Sequence, residues 1–115
     1  MNVLKLIEET KILQVRPQSY SKYVGISVVV VNKRIFARAG RIGKSNWYSA
    51  FLKEKHGEIK INNLVIPVIA LVPYDKNLIC KINKVYWQKY TYRSEVINSI
   101  GNKPSPIFSV LEFVL

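Results

Sequence analysis

Some segments of this chain have the pattern of hydrophobic and polar residues that is typical of β-strands, and others have the spacing that is typical of α-helices. These patterns predict the secondary-structure elements. Asn32-Lys33 and Asn62-Asn63 each separate two apolar, β-branched runs, which indicates two β-hairpins. Pro67 lies within one of these runs and predicts an edge position or a bulge, because proline cannot donate a ladder hydrogen bond. The predicted strands cover residues 12–15, 23–31, 35–39, 58–61, 64–72 and 107–115.

Apolar residues at helical spacing predict three helices. The first covers residues 3–9, the second begins at Ser45 as N-cap and stops near Lys55, with His56-Gly57 as the break, and the third follows the N-cap Asp75. Cys80 lies in the apolar stretch of the third helix, so a buried, inert thiol is expected. A further helical turn is expected at 94–100. The buried face of the third helix is predicted to carry Leu78, Ile79, Ile82, Val85, Tyr86 and Tyr90.

Five or six short strands with few helices predict a mainly β fold, a small antiparallel barrel with flanking helices, in a single domain of residues 1–115. A single cysteine excludes an internal disulfide. No run of 18 apolar residues exists, which excludes a transmembrane helix and a membrane partner of that kind. The first ten residues do not resemble a signal peptide, so a cytoplasmic protein is expected.

Charge adds a candidate site to this picture. The formal net charge is +11, which indicates an anionic partner or a solubilising basic surface. Arg38, Arg41, Lys44 and the Ser45 hydroxyl surround a glycine-containing turn before the second helix. Helix N-termini present free N–H groups and a partial positive charge, which attract anions. The turn is therefore either a phosphate-binding site or a solvated basic loop.

Further candidates for a functional site are aromatic and titratable residues. Trp47 and Tyr48 either stack on a flat ring or pack in the core, and core packing is the favoured interpretation for Tyr48. Lys89 lies one helical turn from Tyr86, where its ammonium can reach an anionic ligand. His56 is the only histidine, which argues against a metal site and a serine–histidine triad. No catalytic residue can be assigned.

Several short patterns between residues 26 and 92 resemble a known family. They are Phe36-Ala37-Arg38 before a small-residue turn, Ser45-x-Trp47-Tyr48, Gly57-x-Ile59, and Ile82-x-x-x-Tyr86-x-x-Lys89-Tyr90. This combination resembles the bacterial domain-of-unknown-function family 2255. That family is grouped with the flavin-binding split-barrel superfamily, which includes pyridoxamine-phosphate-oxidase-like and deazaflavin-dependent proteins.

The resemblance implies a six-stranded antiparallel Greek-key split barrel, often a homodimer, with FMN or a deazaflavin held between subunits. It implies that Arg38, Lys44 and Ser45 face the cofactor phosphate and that Trp47 lines the site. Ala39 departs from the family pattern, which has a serine after the arginine.

Three functions follow from these observations. The first is an oxidoreductase, or another protein that binds an anionic small molecule, in which a flavin-type cofactor supplies the redox chemistry. The second is a nucleic-acid-binding module that combines basic residues with stacking aromatics. The third is a dimeric scaffold whose cofactor site is empty, which agrees with Ala39. The tyrosines of the second hypothesis are Tyr20, Tyr23, Tyr86, Tyr90 and Tyr92.

Overall fold

The computed structural model describes residues 2–39, 46–90 and 110–115, without the side chain of Asn46. The helices of this part of the chain are α1 (Val3–Glu9), α2 (Asn46–Glu54) and α3 (Lys76–Lys89). The strands are β1 (Leu13–Pro17), β2 (Val24–Ile26), β3 (Val28–Val31), β4 (Arg34–Arg38), β5 (His56–Ile61), β6 (Leu64–Leu71) and β7 (Val110–Val114). None of these helices is long and apolar enough to cross a lipid bilayer.

The strands form one antiparallel sheet in the order β2-β1-β5-β6-β7-β4-β3. Only Ser27 separates β2 from β3, although the two strands stand at opposite ends of this order. The sheet must therefore curl until its ends meet at Ser27, which makes it a nearly closed barrel. The predicted mainly β barrel with flanking helices is confirmed.

The described residues contain seven strands rather than the predicted six. The continuous strand expected over residues 23–31 is divided at Ser27, because β2 pairs with β1 whereas β3 pairs with β4. Both partners are neighbours in the chain, but the strand pattern of residues 23–31 continues through Ser27 and does not mark the point where the partner changes.

Both predicted hairpins are confirmed, between β3 and β4 and between β5 and β6. Asn32 and Lys33 have φ values of 53° and 64°, and Asn62 and Asn63 have φ values of 49° and 66°. Positive φ at both central residues is the signature of a type I′ turn, whose twist matches that of the flanking strands. Pro67 pairs with β5 alone, since the pairing of β6 with β7 begins at Ile69.

The buried apolar residues form two clusters on opposite sides of the sheet. The first lies inside the curl of the sheet, where α1 and α2 add Ile7 and Phe51 to it. The second lies between α3 and the outer side of β3, β4 and β7, and it includes Phe36 and Tyr86. Successive strand residues point to opposite sides, so Ala37 contributes to the first cluster although its neighbour Phe36 belongs to the second.

The second helix stops near Lys55, as predicted, but His56 and Gly57 belong to β5 and do not form a break. The helix ends at Glu54, and Lys55 follows in the left-handed conformation with φ 65°. Gly57 lies inside β5, where a Cβ atom would stand 2.4 Å from the Arg16 carbonyl oxygen and 2.5 Å from the Phe51 ring. Glycine is therefore required by the close approach of β1 and α2.

The third helix agrees with its predicted start and buried face. The Asp75 side chain accepts hydrogen bonds from Asn77 N (2.9 Å) and Leu78 N (3.4 Å) and caps the helix. Cys80 corrects one prediction, because it is exposed rather than buried. It stands on the side of α3 opposite the stripe that faces the sheet. The turn expected at 94–100 and the strand positions 107–109 lie outside the described residues.

Candidate functional site

Arg38 is the last residue of β4, and its side chain is buried beneath α3 with 3% exposure. Its Nη2 donates a hydrogen bond to the Asn83 Oδ1 atom of α3. Burial lowers the pKa of the Arg38 guanidinium, and the nearby Tyr86 hydroxyl opposes that shift. The strand therefore holds a cation in the interior at the point where the chain enters residues 40–45.

Two other arginines of the sheet are stabilised differently. Arg34 forms a bidentate ion pair with Glu112, with bonds of 2.8 and 2.7 Å. The Nε atom of Arg16 donates to Glu58 over 2.8 Å. Arg38 is more deeply buried than either and bonds to a neutral amide oxygen. Burying a charge costs free energy unless opposite charge or hydrogen bonds offset it, so the surroundings of Arg38 must offset the burial of its guanidinium.

Lys89 lies at the last turn of α3 and is half-buried. Its Nζ atom donates to the carbonyl oxygens of Val28 (2.7 Å) and Ile7 (3.4 Å) and lies 5.4 Å from the centroid of the Tyr90 ring. Burial, and then the charge of Lys11, lower the pKa of Lys89 to about 8. The Lys89 side chain thus contacts the backbone of β3 and α1, although burial disfavours its charged form, and its contact with an anionic ligand stays a prediction.

Tyr86 of α3 and Tyr90, the C-cap residue of this helix, contact the backbone at the break between β2 and β3. The Tyr90 hydroxyl accepts a hydrogen bond from Val28 N (2.9 Å) and donates to the Lys11 carbonyl oxygen (2.7 Å). The Tyr86 hydroxyl donates to the Ser27 carbonyl oxygen (3.2 Å). Tyr86 and Tyr90 are fully buried and stacked, with ring centroids 5.5 Å apart.

The spacing Tyr86-x-x-Lys89-Tyr90 therefore has a structural explanation: all three polar groups meet the chain where it passes from one end of the sheet to the other. The prediction that Tyr86 and Tyr90 belong to the core is confirmed. Their burial corrects the nucleic-acid hypothesis in one respect, since neither ring is accessible to a base. Tyr92 lies outside the described residues.

Trp47 lies in the first turn of α2 and packs, partly buried, against the first cluster. Its ring meets the Tyr48 ring edge to face, with centroids 6.0 Å apart. Tyr48 is buried, which raises the pKa of its hydroxyl to about 12. In the part of the chain that the structure describes, this hydroxyl has no hydrogen-bond partner. The core position predicted for Tyr48 is confirmed, and an interior polar atom lies beside Trp47.

The structure places the predicted site residues in two groups. Arg38 bonds to Asn83 of α3, and Lys89 of the same helix bonds to the sheet. Asn83 and Lys89 are about 9 Å apart along the helix axis, so the two cations belong to one group. Trp47 packs against the first cluster, on the other side of the sheet. The remaining predicted residues, Arg41, Lys44 and Ser45, connect these groups along the chain but lie outside the described residues.

An exposed apolar face on β6 was missed by the sequence analysis. Alternate residues of this strand, such as Val68 and Ala70, are buried, whereas the residues between them are exposed. The signal was present, because an uninterrupted apolar run is typical of a strand covered on both sides. We call the exposed set the β6 stripe, and it comprises Val65, Pro67, Ile69 and Leu71, with Val114 paired beside Ile69.

A cleft of about 450 Å³ lies beside the β6 stripe and is lined in part by His56, Glu58 and Leu115. On its polar wall the Glu58 Oε1 atom accepts hydrogen bonds from Arg16 Nε (2.8 Å) and the Tyr23 hydroxyl (2.7 Å), and these bonds lower the pKa of Glu58. Among the described residues, no group of three or more His, Cys, Asp or Glu is arranged to hold a metal ion.

Comparison with known sequences places the chain in a family without assigning an activity. No curated protein matches it. Residues 1–106 match the family described as "Uncharacterized protein conserved in bacteria" (DUF2255). The match extends beyond residues 26–92, where the motifs lie, and includes α1 and β1. The chain therefore belongs to the DUF2255 family.

Proposed function

We propose that this chain is a member of the flavin-binding split-barrel superfamily that binds FMN or a deazaflavin through its phosphate, and that the bound cofactor supplies oxidoreductase chemistry. The observation that carries the proposal is the burial of Arg38 at the end of β4. An anion beside the guanidinium favours its charged form and offsets part of the desolvation that lowers its pKa.

The position of Arg38 in the chain supports a phosphate ligand. Guanidinium matches phosphate geometry bidentately, and Asn83 orients the group by accepting a hydrogen bond from one arm. Arg41, Lys44 and Ser45 follow within seven residues and supply further cations and a hydroxyl. In this proposal Arg38 is the interior anchor and the turn supplies the remaining contacts.

The aromatic part of the cofactor requires a different surface. Trp47 has a partly buried indole at the start of α2, directly after the basic turn, and an indole stacks well on a flat ring system. The redox step belongs to the cofactor, and the residues of the chain bind and orient it.

We also propose that the protein is a homodimer that buries the β6 stripe. Large contiguous apolar patches are rare on monomers and mark association surfaces. The stripe lies on the outer side of the barrel, where α3 covers β3, β4 and β7 but leaves β6 uncovered. A two-fold axis through Ile69 brings the same apolar residues of both copies together, as isologous interfaces require.

Titration with FMN and with a deazaflavin, followed by tryptophan fluorescence, tests the cofactor site. Trp87→Phe leaves Trp47 as the only tryptophan, so quenching reports on the proposed ring site. Arg38→Gln is expected to weaken binding by tenfold or more, since a charge-assisted hydrogen bond contributes about 1.5–3 kcal/mol. Arg38→Lys keeps the charge but loses the bidentate geometry, and is expected to bind with intermediate affinity.

Arg34→Gln is the matched control, because it removes a cation from the same strand where Glu112 already pairs with it. Its affinity for the cofactor is expected to remain within twofold of the unmodified protein. Thermal unfolding of each variant separates loss of binding from loss of fold. Equal losses in Arg38→Gln and Arg34→Gln, or no quenching by either cofactor in the unmodified protein, overturn the proposal.

A further inference from the structure

The outward side of α3 carries a narrow basic and aromatic stripe. The residues that face the sheet are Leu78, Ile79, Ile82 and Tyr86. Successive helix residues advance by about 100°, so Lys81, Lys84 and Trp87 fall on the opposite side at steps of three. All three are exposed. We call these three residues the α3 outer stripe.

All charged residues of α3 are cations. No Asp or Glu occurs between Lys76 and Lys89, and the one adjacent acid, Asp75, already caps the helix. A lysine face alone is common on soluble proteins. Trp87 is the unusual member, because 42% of this large aromatic residue is exposed and it stands in line with two cations. Cations that neutralise phosphates and a ring that stacks on a base are the two parts of a single-strand binding surface.

We propose that the α3 outer stripe binds single-stranded nucleic acid, with Lys81 and Lys84 on backbone phosphates and Trp87 stacked on a base. Lys81 and Trp87 are about 9 Å apart along the axis, which is long enough for the stripe to contact more than one nucleotide. A duplex hides the base faces that Trp87 requires, so the surface prefers unpaired strands. This site is separate from the proposed cofactor site, because Arg38 lies beneath α3 and the stripe lies outside it.

Fluorescence anisotropy of a labelled oligothymidine, an oligouridine and a duplex of equal length tests the proposal in the full chain. Lys81→Gln/Lys84→Gln is expected to weaken binding to single strands and to reduce the salt slope of log K by about 1.4, because each phosphate contact contributes about 0.7. Lys5→Gln/Lys53→Gln removes the same charge from two exposed lysines elsewhere and is expected to leave the slope unchanged.

Trp87 tests the stacking contact independently of charge. Trp87→Ala is expected to weaken binding about fivefold or more, whereas Trp87→Phe retains most of the affinity because its ring still stacks. In a Trp47→Phe background the oligonucleotide is expected to quench Trp87 emission. A fluorophore on Cys80, the single and exposed cysteine of the chain, provides the same readout with Trp47 intact.

Binding of either DNA or RNA single strands with these effects supports the site. Three outcomes overturn it: equal weakening by the two lysine pairs, unchanged affinity in Trp87→Ala, or a duplex that binds as tightly as the single strands.

Discussion

At the scale of single residues, Gly57 shows how one missing side chain permits a close contact between three segments. A Cβ atom there would meet a backbone oxygen of β1 and the ring of Phe51, and the backbone oxygen cannot turn aside as a side chain can. Gly25 offers the contrast, because its added Cβ would meet only the Ile12 side chain, at 2.8 Å. The two glycines therefore differ in what would have to move.

Gly57→Ala is expected to lower the free energy of unfolding by roughly 2–3 kcal/mol, the upper range for overpacking, because β1 or α2 must shift. Urea denaturation measures this loss as a lower midpoint at unchanged slope. Gly25→Ala is the matched control and should lose less, since the Ile12 side chain can change rotamer. A smaller loss in Gly57→Ala than in Gly25→Ala contradicts the close contact.

Lys33 supplies a second residue-scale prediction, of opposite sign. It occupies the second central position of a type I′ turn with φ 64°, where glycine has no steric penalty. Lys33→Gly is expected to raise the free energy of unfolding by about 0.5–1 kcal/mol. Lys60→Gly, within β5, should instead destabilise the protein. Stabilisation by Lys33→Gly is measured in the same urea experiment, and destabilisation there would contradict the turn assignment.

At the scale of elements, the end of α3 holds the corner where the chain leaves β2 and enters β3. Tyr90→Phe removes the hydroxyl that accepts from Val28 N and leaves this buried N–H without its tyrosine partner, at a cost of about 1–3 kcal/mol. Tyr86→Phe is the control on the same helix, and its longer bonds of 3.2 and 3.4 Å predict a smaller loss. Hydrogen exchange at the Val28 amide should accelerate in Tyr90→Phe, and unchanged protection there would count against this role.

Lys89, in the last turn of α3, makes the stability of the protein depend on pH. Its folded pKa is about 8 and its ordinary value is 10.5, so between these values the unfolded chain binds a proton that the folded chain does not. Stability is therefore expected to rise as pH increases from about 8 towards 10. Above pH 10 the buried Tyr48, with a pKa raised to about 12, contributes the opposite slope. Between about pH 8 and 10, the urea midpoint should rise in the unmodified protein and stay constant in Lys89→Met. An equal dependence of the midpoint on pH in both proteins would contradict the lowered pKa of Lys89.

Local patterns predicted the hairpins, the Asp75 cap and the buried side of α3, because turn residues and helical periodicity encode them directly. They did not predict the division at Ser27, because the strand pattern of residues 23–31 continues across the point where the pairing partner changes from β1 to β4. The burial of Arg38 was hidden for a different reason, since its partner Asn83 lies on α3, 45 positions away. Cys80 was assigned to the core from apolar neighbours, although its own angular position on α3 faces outward.

At the scale of the whole molecule, the nearly closed barrel and the three helices among the described residues present two contrasting faces. The α3 outer stripe is basic, whereas the β6 stripe is apolar although it lies on the same outer side of the sheet that α3 covers elsewhere. The net charge of +11 opposes association of two copies, so a dimer through the β6 stripe must gain more from apolar burial than it loses to repulsion. Added salt screens that repulsion and is expected to strengthen the dimer.

Ile69→Lys places a charge in the centre of the β6 stripe and is expected to give a monomer by analytical ultracentrifugation, whereas the unmodified protein is expected to sediment as a dimer. Leu52→Lys on α2 is the matched control, because Leu52 and Ile69 are 42% and 43% exposed and the two variants add the same charge. Desolvating an unpaired ammonium at an apolar interface costs far more than adding it to open surface, so only Ile69→Lys should dissociate the subunits. A monomeric unmodified protein at both low and high salt, or equal behaviour of the two variants, would remove the β6 stripe as the interface.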